Sequence, residues 1–114
     1  MKMPDDTFQR KIIDGARIFA DQEIRPRAAD FDESEELPRD MIRIMAERGY
    51  LAATFPKEYG GLELDPIYYG LLTEEIGKAC SSTRALLTVQ TSLVGETILR
   101  WGSPDQKARW LPSL

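Results

Sequence analysis

From Ser81 to Trp101 the chain reads SSTRALLTVQTSLVGETILRW, with no proline to interrupt it. This stretch constrains the fold more than any other. Ser81 or Ser82 can cap a helix start, because a short side-chain oxygen accepts an otherwise orphan backbone N–H. Leu86, Val89, Leu93, Ile98 and Trp101 recur three to five residues apart, which is helical spacing. Leu87, Val94 and Leu99 add apolar groups on other sides. A helix apolar nearly all round is buried nearly all round. About 20 residues at 1.5 Å each give a rod of roughly 30 Å, enough to span a small domain. The spacing therefore predicts a central helix over about 82–101, enclosed by the others. Gly102 sits where a left-handed glycine usually ends a helix. Ser103-Pro104-Asp105-Gln106 opens the next one, with a cap, a first-turn proline and a capping-box glutamine. Pro112 stops it.

The rest of the chain supplies the covering helices. Asp6 to Gln9 reads as a capping box after four residues expected to fray. Phe8, Ile12, Ala16, Phe19 and Ala20 then form an apolar stripe, with Lys11, Asp14, Arg17 and Asp21 off it. Pro26 ends that helix on this reading, since proline disfavours helix in the residue before it. Ala28 to Glu36 is acidic, lacks a long apolar stripe, and reads as a linker with at most one helical turn. Pro38 fits a first helical position, Met41, Ile42, Ile44 and Met45 an inner face, and Gly49 the end of that helix. Tyr50 to Phe55 is a short apolar segment, extended or looped against the core. Pro56 to Gly61 is a turn by composition. Asp65-Pro66 caps and opens a helix with a Tyr69, Leu72, Ile76, Ala79 stripe. The sum is an all-α antiparallel bundle of four main helices and a short fifth, joined by short loops.

Composition narrows the function classes. At 114 residues the chain is one domain, 1–114. The net charge of −4 and the scattered lysines and arginines argue against a nucleic-acid partner. No apolar run approaches bilayer-spanning length, and the start lacks a signal-peptide core, so a cytoplasmic setting is the default. With no histidine, imidazole zinc sites and His-activated nucleophiles are excluded within this sequence. The single Cys80 excludes an internal disulfide and reads as small apolar filler.

Few residues invite chemistry. Glu74 and Glu75 point about 100° apart on a helix, so they are not an acid–base pair; Glu75 should face a neighbour and Glu74 water. The Pro56–Gly61 turn could cradle a phosphate, but a close backbone approach explains its glycines better. Trp101 and Trp110 read as core or interface. The most informative feature is a stripe of Arg84, Thr88, Thr91, Ser92 and Gly95 along the predicted rod. Burying hydroxyls and a guanidinium costs several kcal/mol, roughly, unless each is paired. Either these groups hydrogen-bond within the bundle, or they line a cavity for a polar ligand with Gln90 at its rim. An Arg84 ion pair to Glu75 or Glu74 is the structural alternative.

Several segments, taken in order, resemble a known family. They are Ile24-Arg25-Pro26, Leu37-Pro38 with Glu47-Arg48-Gly49-Tyr50, and Pro56-Lys57-Glu58-Tyr59-Gly60-Gly61. Glu74-Glu75-Ile76-Gly77, Thr91-Ser92-Leu93, Trp101-Gly102-Ser103-Pro104-Asp105-Gln106-Lys107 and Trp110-Leu111-Pro112 follow. The sequence is similar to the N-terminal helical domain of acyl-CoA dehydrogenases. That resemblance implies an FAD enzyme that removes two hydrogens across the α,β bond of an acyl thioester. It implies that the flavin and the glutamate base come mainly from a middle β-domain and a C-terminal helical domain not contained in this sequence. No residue here is then catalytic, and the chain alone is expected to be inactive. Carried over, Ala85, Thr88, Val89, Ser92 and Leu93 wall the acyl pocket. The string from Cys80 to Val89 is similar to a secondary-metabolism subgroup acting on short polar acyl groups, some on acyl carrier protein. Arg84 or Thr88 would then contact a hydroxyl or carboxylate of the acyl group. The resemblance also implies a homo-oligomer at full length. The competing reading is a stand-alone helical module that docks a carrier protein or partner helix, and a third is a helical scaffold with no ligand.

Overall fold

The computed structural model describes residues 6–114, with side chains from residue 7 onward. The expected fraying of the first four residues, and the Asp6 half of the capping box, fall outside the described residues. The described residues form helices and turns with no strand. Helix α1 (Asp6–Phe19) buries Gln9, Ile13, Ala16 and Phe19, while Phe8 is exposed. The inner face is thus rotated from the predicted stripe. Gln9 does not reach back to cap its own helix: its carbonyl oxygen accepts from the backbone N–H of Asp65 at 2.8 Å.

The first α-helix does stop before Pro26, but the chain does not leave the helical path there. Helix α1 passes into a π-helical segment, Ala20–Ile24, then a 3-10 turn, Arg25–Arg27, then α2 (Ala28–Ser34). Proline clashes with the preceding turn of an α-helix, and the wider π turn just before Pro26 gives its ring room. The acidic stretch read as a linker is therefore largely helix, held by one buried anchor, Phe31. The Arg27 guanidinium lies 5.3 Å from the Phe31 ring and makes paired contacts of 3.1 and 3.2 Å with Asp40. That pairing ties α2 to α3 (Arg39–Glu47) and holds the Asp40 carboxyl below the usual carboxylate range.

Helix α3 buries Met41 and Met45 and half-buries Ile42 and Ile44. Pro38 is its cap residue rather than its first turn. Gly49 ends it at φ 84°, a conformation glycine adopts without strain. Tyr50 to Phe55 follows as a 3-10 turn and loop with Tyr50, Leu51, Ala53 and Phe55 buried. Helix α4 (Pro66–Ala79) opens on Asp65, whose side chain accepts from the N–H of Ile67 at 2.9 Å. It packs against α1 on one side and against α5 (Ser81–Thr88) on the other. The two helices meet at a single extended residue, Cys80, which takes the N-cap position of α5 in place of the predicted serines and makes no side-chain cap bond. Leu72, Ile76 and Leu87 close the core there. Fully burying each such side chain contributes about 1.5–3 kcal/mol.

Residues 81–101 do form one continuous helical run: α5, a π segment Val89–Gly95, and α6 (Glu96–Trp101). The run is not enclosed. Val89, Leu93, Val94 and Trp101 are 47, 66, 38 and 83% exposed. Its buried face is Thr83, Leu87, Thr91 and Gly95, four residues apart. Such a row drifts around an α-helix, and the π segment, which turns less per residue, brings it back into line. Apolar spacing alone could not separate a side buried in this chain from a side left open. Of the two readings of Trp101 and Trp110, core or interface, the core one fails likewise, since Trp110 is 44% exposed. Gly102 ends α6 at φ −73°, so its role is steric: a methyl there would lie 2.5 Å from the Ile98 carbonyl oxygen. Helix α7 (Pro104–Trp110) has the predicted capping box. The Ser103 hydroxyl accepts from the N–H of Gln106 at 3.2 Å, and the Ser103 N–H donates to the Gln106 side chain at 2.9 Å.

Candidate functional site

The π segment is fixed from behind. The Thr91 hydroxyl, fully buried, donates to the Leu51 carbonyl oxygen at 2.9 Å. Gly95 lies against the Phe55 ring, where a methyl would come within 2.0 Å of Phe55 Cζ. Phe55 is itself wedged, because a methyl at Gly61 would come within 1.9 Å of its carbonyl oxygen. The glycines of the Pro56–Gly61 turn thus serve close packing and a left-handed turn (Gly60 at φ 85°), not a phosphate cradle. Anchored at Thr91 and Gly95, the run turns its opposite side to solvent.

That side carries every predicted wall residue. Arg84, Ala85, Thr88, Val89, Ser92 and Leu93 follow an i, i+1, i+4, i+5 pattern along one face. All are exposed except Thr88, which is half-buried. The predicted polar stripe divides between its two readings. Thr91 bonds within the fold. Thr88 donates to the carbonyl oxygens of Arg84 and Ala85 at 3.1 and 3.2 Å, so its hydroxyl hydrogen is spent on its own helix. Ser92 faces a groove and shares a 3.0 Å hydrogen bond with the Tyr69 hydroxyl.

The alternative reading of Arg84, an ion pair to Glu75 or Glu74, is not what forms. Glu75, only 11% exposed at its side chain, is held by Arg17 at 3.4 Å and Lys78 at 3.5 Å, and Glu74 lies 3.9 Å from Lys78. Arg84 takes no part in the ion pairs among the described residues. Its aliphatic stem lies over Gly77, where a methyl would meet Arg84 Cδ at 2.9 Å. An Arg side chain can pack its methylenes and leave its charge in water.

Beyond Ser92 the face continues into two depressions, of about 330 and 360 Å³, that share Ser92, Glu96 and Arg100. The first is completed by Thr54 and Tyr69, the second by Trp101. Glu96 accepts from the Thr54 hydroxyl at 2.8 Å and lies 3.8 Å from Arg100. The sequence reading missed these residues. Tyr69 reads as part of a helical stripe, and only the fold brings it and Thr54 to this face; Glu96 and Arg100 follow Ser92 at i+4 and i+8 on the same run, a spacing that could have shown them. A larger depression, about 410 Å³, lies between α2 and the start of α5 and is lined by Asp32, Glu35 and Glu36. Three carboxylates make it a poor seat for an anionic thioester carrier.

The elements among the described residues are all helical, and one long helical run presents an apolar and small-polar face. The family comparison makes that specific. Residues 6–114 match the sequence model of the family described as "Acyl-CoA dehydrogenase, N-terminal domain", and the chain belongs to that family. It is similar to the short-chain specific acyl-CoA dehydrogenase of Clostridium acetobutylicum, 37% identical over 86% of this chain and 26% of that protein. It is similar to the mitochondrial short-chain specific enzyme of Mus musculus, 39% identical over 83% of this chain and 23% of that protein. A solved glutaryl-CoA dehydrogenase of Mycobacterium smegmatis, in complex with FADH2, superposes with a TM-score of 0.85 at 31% identity, covering 96% of this chain and 28% of that one. The chain thus spans about a quarter of the length of these curated relatives.

Proposed function

We propose that this chain forms one wall of the acyl pocket in a flavin-dependent acyl-thioester dehydrogenase. The observation that carries the reading is the outward face Arg84, Ala85, Thr88, Val89, Ser92 and Leu93, anchored from behind at Thr91 and Gly95. Val89 and Leu93 expose apolar surface that gains from burial against an acyl chain. The rigid anchoring matters because a wall that sets chain length must not yield. The names of the relatives, short-chain specific, support a short acyl group. The thioester carrier is coenzyme A or an acyl carrier protein.

The flavin would supply the hydride acceptor. In the one turn that sequence offered as a phosphate cradle, Gly61 is packed against Phe55. FAD and the proton-abstracting base are assigned to segments outside this sequence, and the chain alone is expected to be inactive. The complete protein is expected to be a homo-oligomer. No helix among the described residues is long and apolar enough to cross a membrane. The test is anaerobic titration of the full-length protein with butyryl-CoA, read in the visible flavin band. Bleaching supports the reading; an unchanged spectrum with every short acyl thioester refutes it.

A further inference from the structure

The groove past Ser92 is chemically unlike the wall that leads to it. Along the wall, Ala85, Val89 and Leu93 present carbon. At the groove, Tyr69 and Ser92 present hydroxyls, Glu96 a carboxylate and Arg100 a guanidinium, over a floor of Leu64 and Pro66. We infer that this groove is a polar subsite that receives a neutral, hydroxyl-bearing acyl substituent, rather than the bare end of an alkyl chain. The inference rests on the acyl-wall reading above and deepens it.

The hydrogen-bond inventory favours that class of ligand. Tyr69 and Ser92 bond to each other at 3.0 Å, which consumes one hydroxyl hydrogen and leaves the other free to donate. Glu96 has one oxygen engaged by Thr54 at 2.8 Å. Its other oxygen stands 3.8 Å from Arg100, beyond hydrogen-bond reach, and keeps its acceptor capacity. The groove therefore offers one donor and at least one charged acceptor side by side. A hydroxyl, which donates and accepts, satisfies both. A ligand carboxylate would bring a second negative charge beside Glu96, with Arg100 as the one cation among the described residues lining the groove to serve both. An alkyl end would leave the Glu96 side chain, 29% exposed, desolvated without a new partner. Arg100 is 76% exposed, and the assignment does not need it.

The test uses the full-length, flavin-loaded protein and a matched pair of probes, 4-hydroxybutyryl-CoA and butyryl-CoA. In the unmodified protein kcat/KM favours the hydroxylated probe. In Tyr69→Phe, which keeps the ring, the hydroxylated-to-unsubstituted ratio falls roughly tenfold, the loss expected for one hydrogen bond in a site with a charged member. Glu96→Gln lowers the ratio in the same direction. A second readout needs no turnover. The part of the emission that is lost in Trp101→Phe reports on the depression next to the groove; that part changes on adding 4-hydroxybutyryl-CoA, and the response weakens in Tyr69→Phe. A ratio unmoved by both substitutions, or equal losses on both probes, overturns the subsite while leaving the acyl wall standing. Failure of the unmodified protein to oxidise either probe overturns the wall and the subsite together.

Discussion

Gly95→Ala is a small change with a large expected effect. An exposed helical glycine replaced by alanine gains about 1 kcal/mol in helix propensity. Here the added methyl would sit 2.0 Å from Phe55 Cζ and 2.4 Å from Cε1. Carbon contacts are comfortable near 3.5–4.0 Å, so roughly 1.5 Å of overlap must be relieved. Phe55 cannot withdraw, because it is fully buried and its carbonyl and Cβ press on Gly61. The helix must lift instead, straining the Thr91–Leu51 hydrogen bond. Overpacking of this kind costs about 3 kcal/mol, the upper end of its usual range. Set against the propensity gain, the net loss is about 2 kcal/mol, large beside a total stability of roughly 5–15 kcal/mol. Urea denaturation followed by helical circular dichroism measures it. Phe55→Leu provides the cross-check, since it removes the ring atoms in conflict. In that background Gly95→Ala should cost little or become stabilising, a coupling of about 1–3 kcal/mol. A penalty of the same size in both backgrounds would refute the reasoning, and so would no penalty at all.

Two further perturbations probe the same scaffold. Thr91→Val keeps the side-chain shape but leaves the buried Leu51 carbonyl without its donor, and should cost about 1–3 kcal/mol in the same urea experiment. The Arg27–Asp40 pair should show in the pH dependence of stability. Because Arg27 holds the Asp40 carboxyl below its ordinary range, its contribution is present above the unfolded-state pKa and is lost as pH falls through the lower folded-state value. The stability difference between the unmodified protein and Asp40→Asn should therefore shrink toward zero on acidification. A constant difference would mean that the pairing is not what Asp40 contributes.

What could be read from the sequence was local. The Ser103 capping box, the Asp65 cap and the Gly49 terminus are set by residues within four positions of one another, and each is present. The breaks were harder. Pro26 is a strong helix-stop signal, yet a π turn admits it, and nothing in the letters ADQEI announces a π turn. The long helix was legible as a helix but not in its orientation. Leu87 is buried while Leu93 lies open, because packing against α4 and Phe55 chooses the face. The residues assigned to the wall were named by a resemblance, and they share one face of a helix that does form. The Tyr69–Ser92 pair spans 23 positions and the Thr54–Glu96 pair spans 42. Only the fold brings such residues together.

The central claim is that the outward face of residues 84–93 borders the acyl chain. Ala85→Phe in the full-length protein tests it, with kcat/KM measured across straight-chain acyl-CoA probes of increasing length. Ala85 is exposed in this chain, so a larger side chain should not disturb the fold. If the face walls the pocket, the added ring occupies acyl space. Activity on the longer probes then falls by about tenfold or more, the scale set by losing one or two buried methylenes, and preference shifts toward the shortest. An unchanged length profile in a folded, flavin-loaded Ala85→Phe protein would contradict the account.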